Sequence, residues 1–377
     1  MSRLSFVLAA LHVYIAARLL PDLPGGAAAV AVGAVALIAS LYLIPIGFAA
    51  RRTGAPDVGG VTLVALLAMG AFSSLFVLTV VRDLTLLAAL VLAWTTSLVV
   101  PLRRLAEDTA LTVPLLTVVV TALGYVNARR LPRVREVDVP IDRLPAALDG
   151  FTIAQITDLH VGPTIGRAYL DAIVQSVNAL GADAIAITGD LVDGSVGQLA
   201  PHTAPLARLA SRHGTFVVTG NHEYYSGAVP WIRELRRLGL NVLLNEHVVL
   251  NHDGARLVLA GVTDFSAHQF IAAHRSDPDA AIAGAPETAG ARVLLAHQPR
   301  SAPAAARAGF DLQLSGHTHG GQFLPWNFFV RLQQPFTAGL ARLGRMWVYT
   351  SRGTGYWGPP KRLGAPSEIT RLRLVAA

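Results

Sequence analysis

Up to about Arg129 the chain is a succession of apolar runs, too long and too uncharged for the interior helices of a water-soluble domain. The runs are Gly26–Ala50, Gly59–Val81, Leu84–Leu102 and Thr109–Val126. A bilayer core takes about 20 apolar residues per helix, so each run qualifies or comes close. An earlier stretch, "LSFVLAALHVYIAARLL", is shorter and holds His12 and Arg18. It reads as a fifth span or a signal-anchor, because no small-residue cleavage site follows and further spans do. The expectation is an α-helical membrane region of 4–5 spans over 1–128. A charged, proline-containing juxtamembrane linker is expected over 129–148, and a separate domain over 149–377.

The whole chain is 53% hydrophobic and 15% charged, with net charge +7 and no cysteine. Without cysteine there is neither a disulfide nor a thiolate ligand, so any metal must be held by oxygen and imidazole. The basic residues form no block interleaved with aromatics, and no nucleic-acid partner is expected.

Beyond the linker the pattern changes. Short β-branched runs, bounded by turn residues, alternate with amphipathic stretches such as "GRAYLDAIVQSVNAL" and "VPWIRELRRLGL". That alternation predicts an α/β layer architecture. Five of the runs end on metal-ligand residue types. "FTIAQIT" is followed by Asp158 and His160, and "DAIAIT" by Asp190 and Asp193. "TFVVT" is followed by Asn221, His222 and Glu223, "RVLLA" by His297, and "FDLQLS" by His317 and His319. The carboxyl ends of strands form the ligand crevice in open α/β sheets. Each short motif alone is weak, since Gly, Asp and Asn also build turns and caps. Their joint order is not. Carboxylate, amide oxygen and imidazole suit two hard or borderline divalent ions, which can share a carboxylate and clamp a displacement at phosphorus. Glycines 189, 220, 316, 320 and 321 allow a close backbone approach.

The order D-x-H, GD, GNHE, H, GHTH resembles the calcineurin-like metallophosphoesterase superfamily, and the apolar first half resembles its membrane-anchored branch. The resemblance implies a four-layer αββα sandwich. It also implies two divalent metal ions, Mn, Fe or Zn. Asp158, His160 and His319 would hold one ion, Asn221, His297 and His317 the other, and Asp190 would bridge them. His222 would contact the phosphate and protonate the leaving oxygen. The expected activity is phosphoester hydrolysis by a metal-bound hydroxide. The alternative is a non-catalytic binding or regulatory domain on a transport or sensor protein. Spans with almost no ionisable residues beyond His12 and Arg18 favour an anchor over a transporter.

Less directly, Asp193 reads as a residue supporting the ligands or a turn, and Glu223 as orienting His222 or capping a helix. Arg352 is a candidate phosphate contact or a partner of Glu368. The stretch "FLPWNFFVRLQQPF" follows the last ligands at once. It reads either as a packed loop or as an aromatic lip at the bilayer, with Trp326 a substrate contact. The lip would suit a lipid-like diester or pyrophosphate. Counting five spans, the Arg-rich loops put the catalytic domain on the extracytoplasmic side of the cell membrane.

Overall fold

The computed structural model describes residues 3–53 and 60–377. Gly59, the first residue of one expected span, lies outside the described residues. The chain forms two compact units.

The first unit contains four helices long and apolar enough to cross a membrane. They are α1 (Arg3–Leu19), α2 (Gly26–Thr53), α3 (Val61–Thr95) and α4 (Leu102–Arg129). The short stretch Gly358–Lys361 clusters with this unit, where Lys361 Nζ donates to Ser74 Oγ and Gly70 O. Two expected spans prove to be one helix. Gly59–Val81 and Leu84–Leu102 were divided at Arg82–Asp83, yet α3 runs through both charges. Neither residue breaks a helix, and no Gly or Pro stands near them. Each charge is met by side chains from elsewhere. Arg82 reaches Asp22 and donates to Thr109 Oγ1, while Asp83 accepts from Tyr14 and Arg18. The stretch left as a fifth span or anchor is α1, so the count remains four. At 35 residues, α3 is about 52 Å long, well beyond a hydrocarbon core of about 30 Å.

The second unit holds two six-stranded sheets. One has the order β1-β12-β2-β3-β4-β5, the other β10-β11-β9-β8-β7-β6. The five ligand-bearing runs are β2 (Thr152–Ile156), β3 (Ala184–Ile187), β4 (Thr215–Val217), β8 (Ala291–Leu295) and β9 (Leu312–Ser315). The first three are parallel neighbours in one sheet, the last two in the other. Ile153, Phe216, Leu257, Val293 and Leu314 belong to one apolar cluster that joins the two sheets. On the outer face of the first sheet, Ile156 and Ile187 pack with Leu170 and Val177 of α5 (Arg167–Asn178) and with Trp231. On the outer face of the second, Leu294 and Val348 pack with Ala281 and Ala305 of short helices. The four layers αββα follow from strands that are apolar on both faces.

The remaining strands complete the sheets. They are β5 (Asn241–Val242), β6 (Glu246–His252), β7 (Ala255–Gly261), β10 (Gly339–Leu343) and β11 (Met346–Thr350). The expected linker over 129–148 is not a free connector. It contains β1 (Arg133–Ile141), paired in parallel along its length with β12 (Glu368–Ala376). Local sequence hides this, because the partner strand comes from the far end of the chain. As an edge strand, β1 carries charge rather than apolar alternation, and Asp138 and Glu136 meet Arg373 and Arg371.

Candidate metal centre

All five motifs leave the C-terminal ends of their strands and meet where the two sheets adjoin. Two contacts hold the sheets in register there. Gln155 Nε2 donates to Ser315 O at 3.0 Å, and His317 N donates to Asp158 Oδ1 at 3.0 Å. Asp158, His160 and His319 bring one ligand atom each within 4.8 Å of one another, as do Asp190, His297 and His317. Asp190 Oδ2 lies 3.2 Å from His297 Nε2 and 3.9 Å from His160 Nε2. It therefore stands between the two clusters, as a shared carboxylate must. Asn221 is buried, and its Oδ1 has no hydrogen-bond partner. An orphaned buried amide oxygen carries a free-energy cost that a cation would relieve.

The backbone is bent to make this cluster. Asp158, His160, Asp190, His317 and His319 all have φ between 50° and 69°. Non-glycine residues seldom adopt this conformation, and such strain collects at functional sites. Two glycines keep the space open. A Cβ at Gly220 would fall 2.2 Å from Asp190 Oδ1, and one at Gly316 would fall 2.2 Å from Asp158 Oδ2. Their role is clearance for carboxylates rather than a positive φ. The donor set, the unpartnered amide oxygen and the cleared space all fit divalent cations.

Electrostatics reflect a crowd of buried groups. Burial opposes ionisation of Asp190, but His297, His222 and His160 hold its carboxyl well below the usual range. Burial likewise opposes a charge on His297, yet Asp190 raises it well above an ordinary imidazole. Burial pushes Asp158 up and His317 down to about 3. Burial and the neighbouring Asp190 lift Glu223 to about 7.

His222 stands beside the clusters. Its Nδ1 is 2.5 Å from Asp193 Oδ1, and its Nε2 is 3.9 Å from Asp190 Oδ2. Asp193 also lies 3.3 Å from His160 Nδ1. Asp193 is thus a support for two rings rather than a turn residue alone. Glu223 does not orient His222. Its carboxylate accepts from the amides of Asp190, Leu191 and Gly220, which ties the β3 loop to the β4 loop. Arg352 takes the structural alternative, with its Nη1 3.1 Å from Glu368 Oε2.

The stretch after the ligands divides. Phe323 is buried, and Phe336 packs against the outer core. Trp326, Phe328 and Phe329 are exposed by 39, 68 and 51%. Their short helix sits against Gly321, whose added Cβ would meet Asn327 Cα at 2.2 Å. Two exposed aromatics escaped the sequence reading. Tyr225 and Trp357 place their rings 5.1 and 6.1 Å from that of His222. Tyr225 stood in view three residues past His222, whereas Trp357 is joined to the site only by folding.

A family profile described as calcineurin-like phosphoesterase matches residues 151–321. The chain is 42% identical over 287 residues to the transmembrane protein with metallophosphoesterase domain of Bos taurus, covering 73% of this chain and 64% of that one. The chain therefore spans less than two thirds of that relative. It is 32% identical over 239 residues to an uncharacterized metallophosphoesterase of Aquifex aeolicus, covering 63% of this chain and 89% of that one. A dimetal phosphatase structure from Danio rerio aligns with TM-score 0.37 and 13% identity, over 55% of this chain and 88% of the other.

Proposed function

Since the chain belongs to the calcineurin-like phosphoesterase family, we propose that it is a membrane-held phosphoester hydrolase using two divalent cations. The observation that carries this reading is Asp190 Oδ2 lying within 3.9 Å of ring nitrogens from both buried clusters. Asp158, His160 and His319 would hold one ion, Asn221, His297 and His317 the other, with Asp190 between them. The mixed oxygen and imidazole donors suit Mn, Fe or Zn. When bound, the ions act as Lewis acids that stabilise charge on phosphoryl oxygens.

The chain's own groups do the rest. Asp193 accepts from His222 Nδ1 and turns Nε2 toward the clusters, where it donates a proton to the leaving oxygen. Tyr225 and Trp357 flank that ring, their centroids 5.1 and 6.1 Å from it. The substrate is an amphiphilic phosphodiester or pyrophosphate. The exposed Trp326, Phe328 and Phe329 support this, because aromatic rings at a site's rim suit an apolar tail.

The helix count supports one orientation in the bilayer. With four helices, the connection between α2 and α3 and the segment after α4 would share one face of the bilayer. That face carries Arg51, Arg52, Arg129, Arg130, Arg133 and Arg135. The other carries Arg103 and Arg104, while Arg18 and Arg82 there are engaged by Asp83 and Asp22. Arg-rich connections stay cytoplasmic, so this reading puts the hydrolase domain in the cytoplasm. The extracytoplasmic expectation rested on five spans.

The test is hydrolysis of paired aryl phosphate mono- and diesters by the detergent-purified chain with Mn²⁺. Activity that requires the ion, and that Asp190→Asn abolishes with loss of bound metal, supports the reading. Full turnover by Asp190→Asn with both ions retained overturns it.

A further inference from the structure

The short helix that carries His222, Asn221–Tyr225, ends on an outward aromatic ring. His222 N donates to Asp190 Oδ1 at 2.9 Å, which sets the start of this helix against the ligand clusters. Tyr224 is buried, with its hydroxyl 2.8 Å from His274 Nδ1. Tyr225 faces solvent, its ring 5.1 Å from that of His222. Phe270 continues the row, 5.5 Å from Tyr225 and 5.9 Å from Tyr224. The Tyr224–His274 contact ties the segment that carries Phe270 to the His222 helix. Tyr225, Phe270 and Trp357 are exposed by 62, 49 and 43%.

Trp357 reaches the same imidazole from a distant segment, with 6.1 Å between ring centres. Gln322, three residues past His319, holds its backbone. Trp357 N donates to Gln322 Oε1 and Gln322 Nε2 donates to Trp357 O, each at 2.8 Å. Gln322 is buried at φ 58°, a costly conformation for a non-glycine residue. The loop of the last ligands thus fixes where Trp357 stands. Single exposed apolar side chains are ordinary, but grouped ones mark a contact surface. Ligand sites pair such aromatic walls with a few placed polar groups, and here the polar group is His222. Its Nδ1 is held by Asp193 and its Nε2 is turned toward the clusters. A leaving oxygen that takes a proton from Nε2 must come within about 3 Å of it. The carbon skeleton on that oxygen then begins within reach of rings centred 5.1 and 6.1 Å from the imidazole.

We propose that Tyr225, Phe270 and Trp357 form the leaving-group subsite, and that the reaction favours phosphoesters whose departing alcohol carries a flat apolar group. The inference rests on the hydrolase reading above, in which His222 serves the leaving oxygen. In that step the oxygen of water forms the new bond to phosphorus, and the bond from phosphorus to the departing oxygen breaks. The departing oxygen keeps the electron pair and takes the proton of His222, so the alcohol leaves neutral. Water gives up one proton to the solvent, from which His222 is later reprotonated. Ring-to-ring contact with the departing group selects which of two ester bonds is cut.

The experiment is hydrolysis of phenyl β-naphthyl phosphate by the detergent-purified full chain with Mn²⁺, counting naphthol and phenol separately. Two aryl alcohols of similar acidity compete for departure within one molecule, and the ratio under hydroxide alone gives their intrinsic preference. Wild type should release naphthol over phenol in clear excess of the hydroxide ratio. An aromatic pair contributes about 2- to 12-fold beyond the area it buries. Tyr225→Ser, Phe270→Ser and Trp357→Ser should each lower the ratio by about that factor. Loss of folded protein lowers both products alike and leaves the ratio unmoved, so the ratio separates a subsite from a structural role. A wild-type ratio at or below that of hydroxide, or one unchanged in all three variants, overturns the subsite and leaves the hydrolase reading intact. Failure of wild type to release either alcohol in a Mn²⁺-dependent way overturns that reading and this inference together.

Discussion

Removing the Asp193 carboxylate isolates what holds His222, the proposed proton donor. Its Oδ1 lies 2.5 Å from His222 Nδ1, and Asp193 is buried, so water does not readily replace it. A hydrogen bond to a charged group contributes about 1.5–3 kcal/mol. Since 1.36 kcal/mol is tenfold in rate, Asp193→Ala should lower kcat/KM by about 10- to 150-fold. His222→Ala sets the ceiling, because general acid catalysis contributes about 10²–10⁴-fold. The same oxygen also lies 3.3 Å from His160 Nδ1, so Asp193 could act through the cation site instead. The double variant decides. If Asp193 works through His222, then Asp193→Ala should cost almost nothing further in the His222→Ala background. The assay is hydrolysis of an aryl diester at saturating Mn²⁺, with metal content measured for each variant. A full additive loss in the double variant, together with reduced metal content in Asp193→Ala, would refute the reasoning and assign the carboxylate to His160.

Two further outcomes follow from exposure and charge. Trp326 and Phe329 are 39 and 51% exposed, so Trp326→Ser/Phe329→Ser should lose activity on lipid phosphodiesters in vesicles while keeping activity on a small soluble diester. Changes at exposed positions usually stay within about 0.5 kcal/mol, so equal loss on both substrates with a lowered Tm would return those rings to the core. On the proposed orientation, with the Arg-rich connections inside, reporter fusions at Ala377 should be active only in the cytoplasm. Activity of a periplasmic reporter there would contradict that orientation.

Much of the candidate site was legible before folding, because its donor residues are written into short-range chemistry. A β-branched run followed by Gly, Asp, Asn or His announces a strand end, and five such ends in order located Asp158, Asp190, Asn221, His297 and His319. Apolar runs of bilayer length likewise announced a helical membrane unit. What stayed hidden depends on partners distant in sequence. Arg82 and Asp83 look like a loop until Asp22, Arg18 and Tyr14 are beside them inside one helix. Arg133–Ile141 looks like a linker until β12 returns to pair with it. Asp193 could be a turn residue until the β3 and β4 loops set it between two imidazoles, and Trp357 has no local pattern linking it to His222. Periodicity and turn preference act over a few residues, so sequence alone determined the five strand ends and the ligand types they carry. Charge neutralisation, strand pairing and the aim of each ring need groups from separate segments, and only the tertiary structure brought those together.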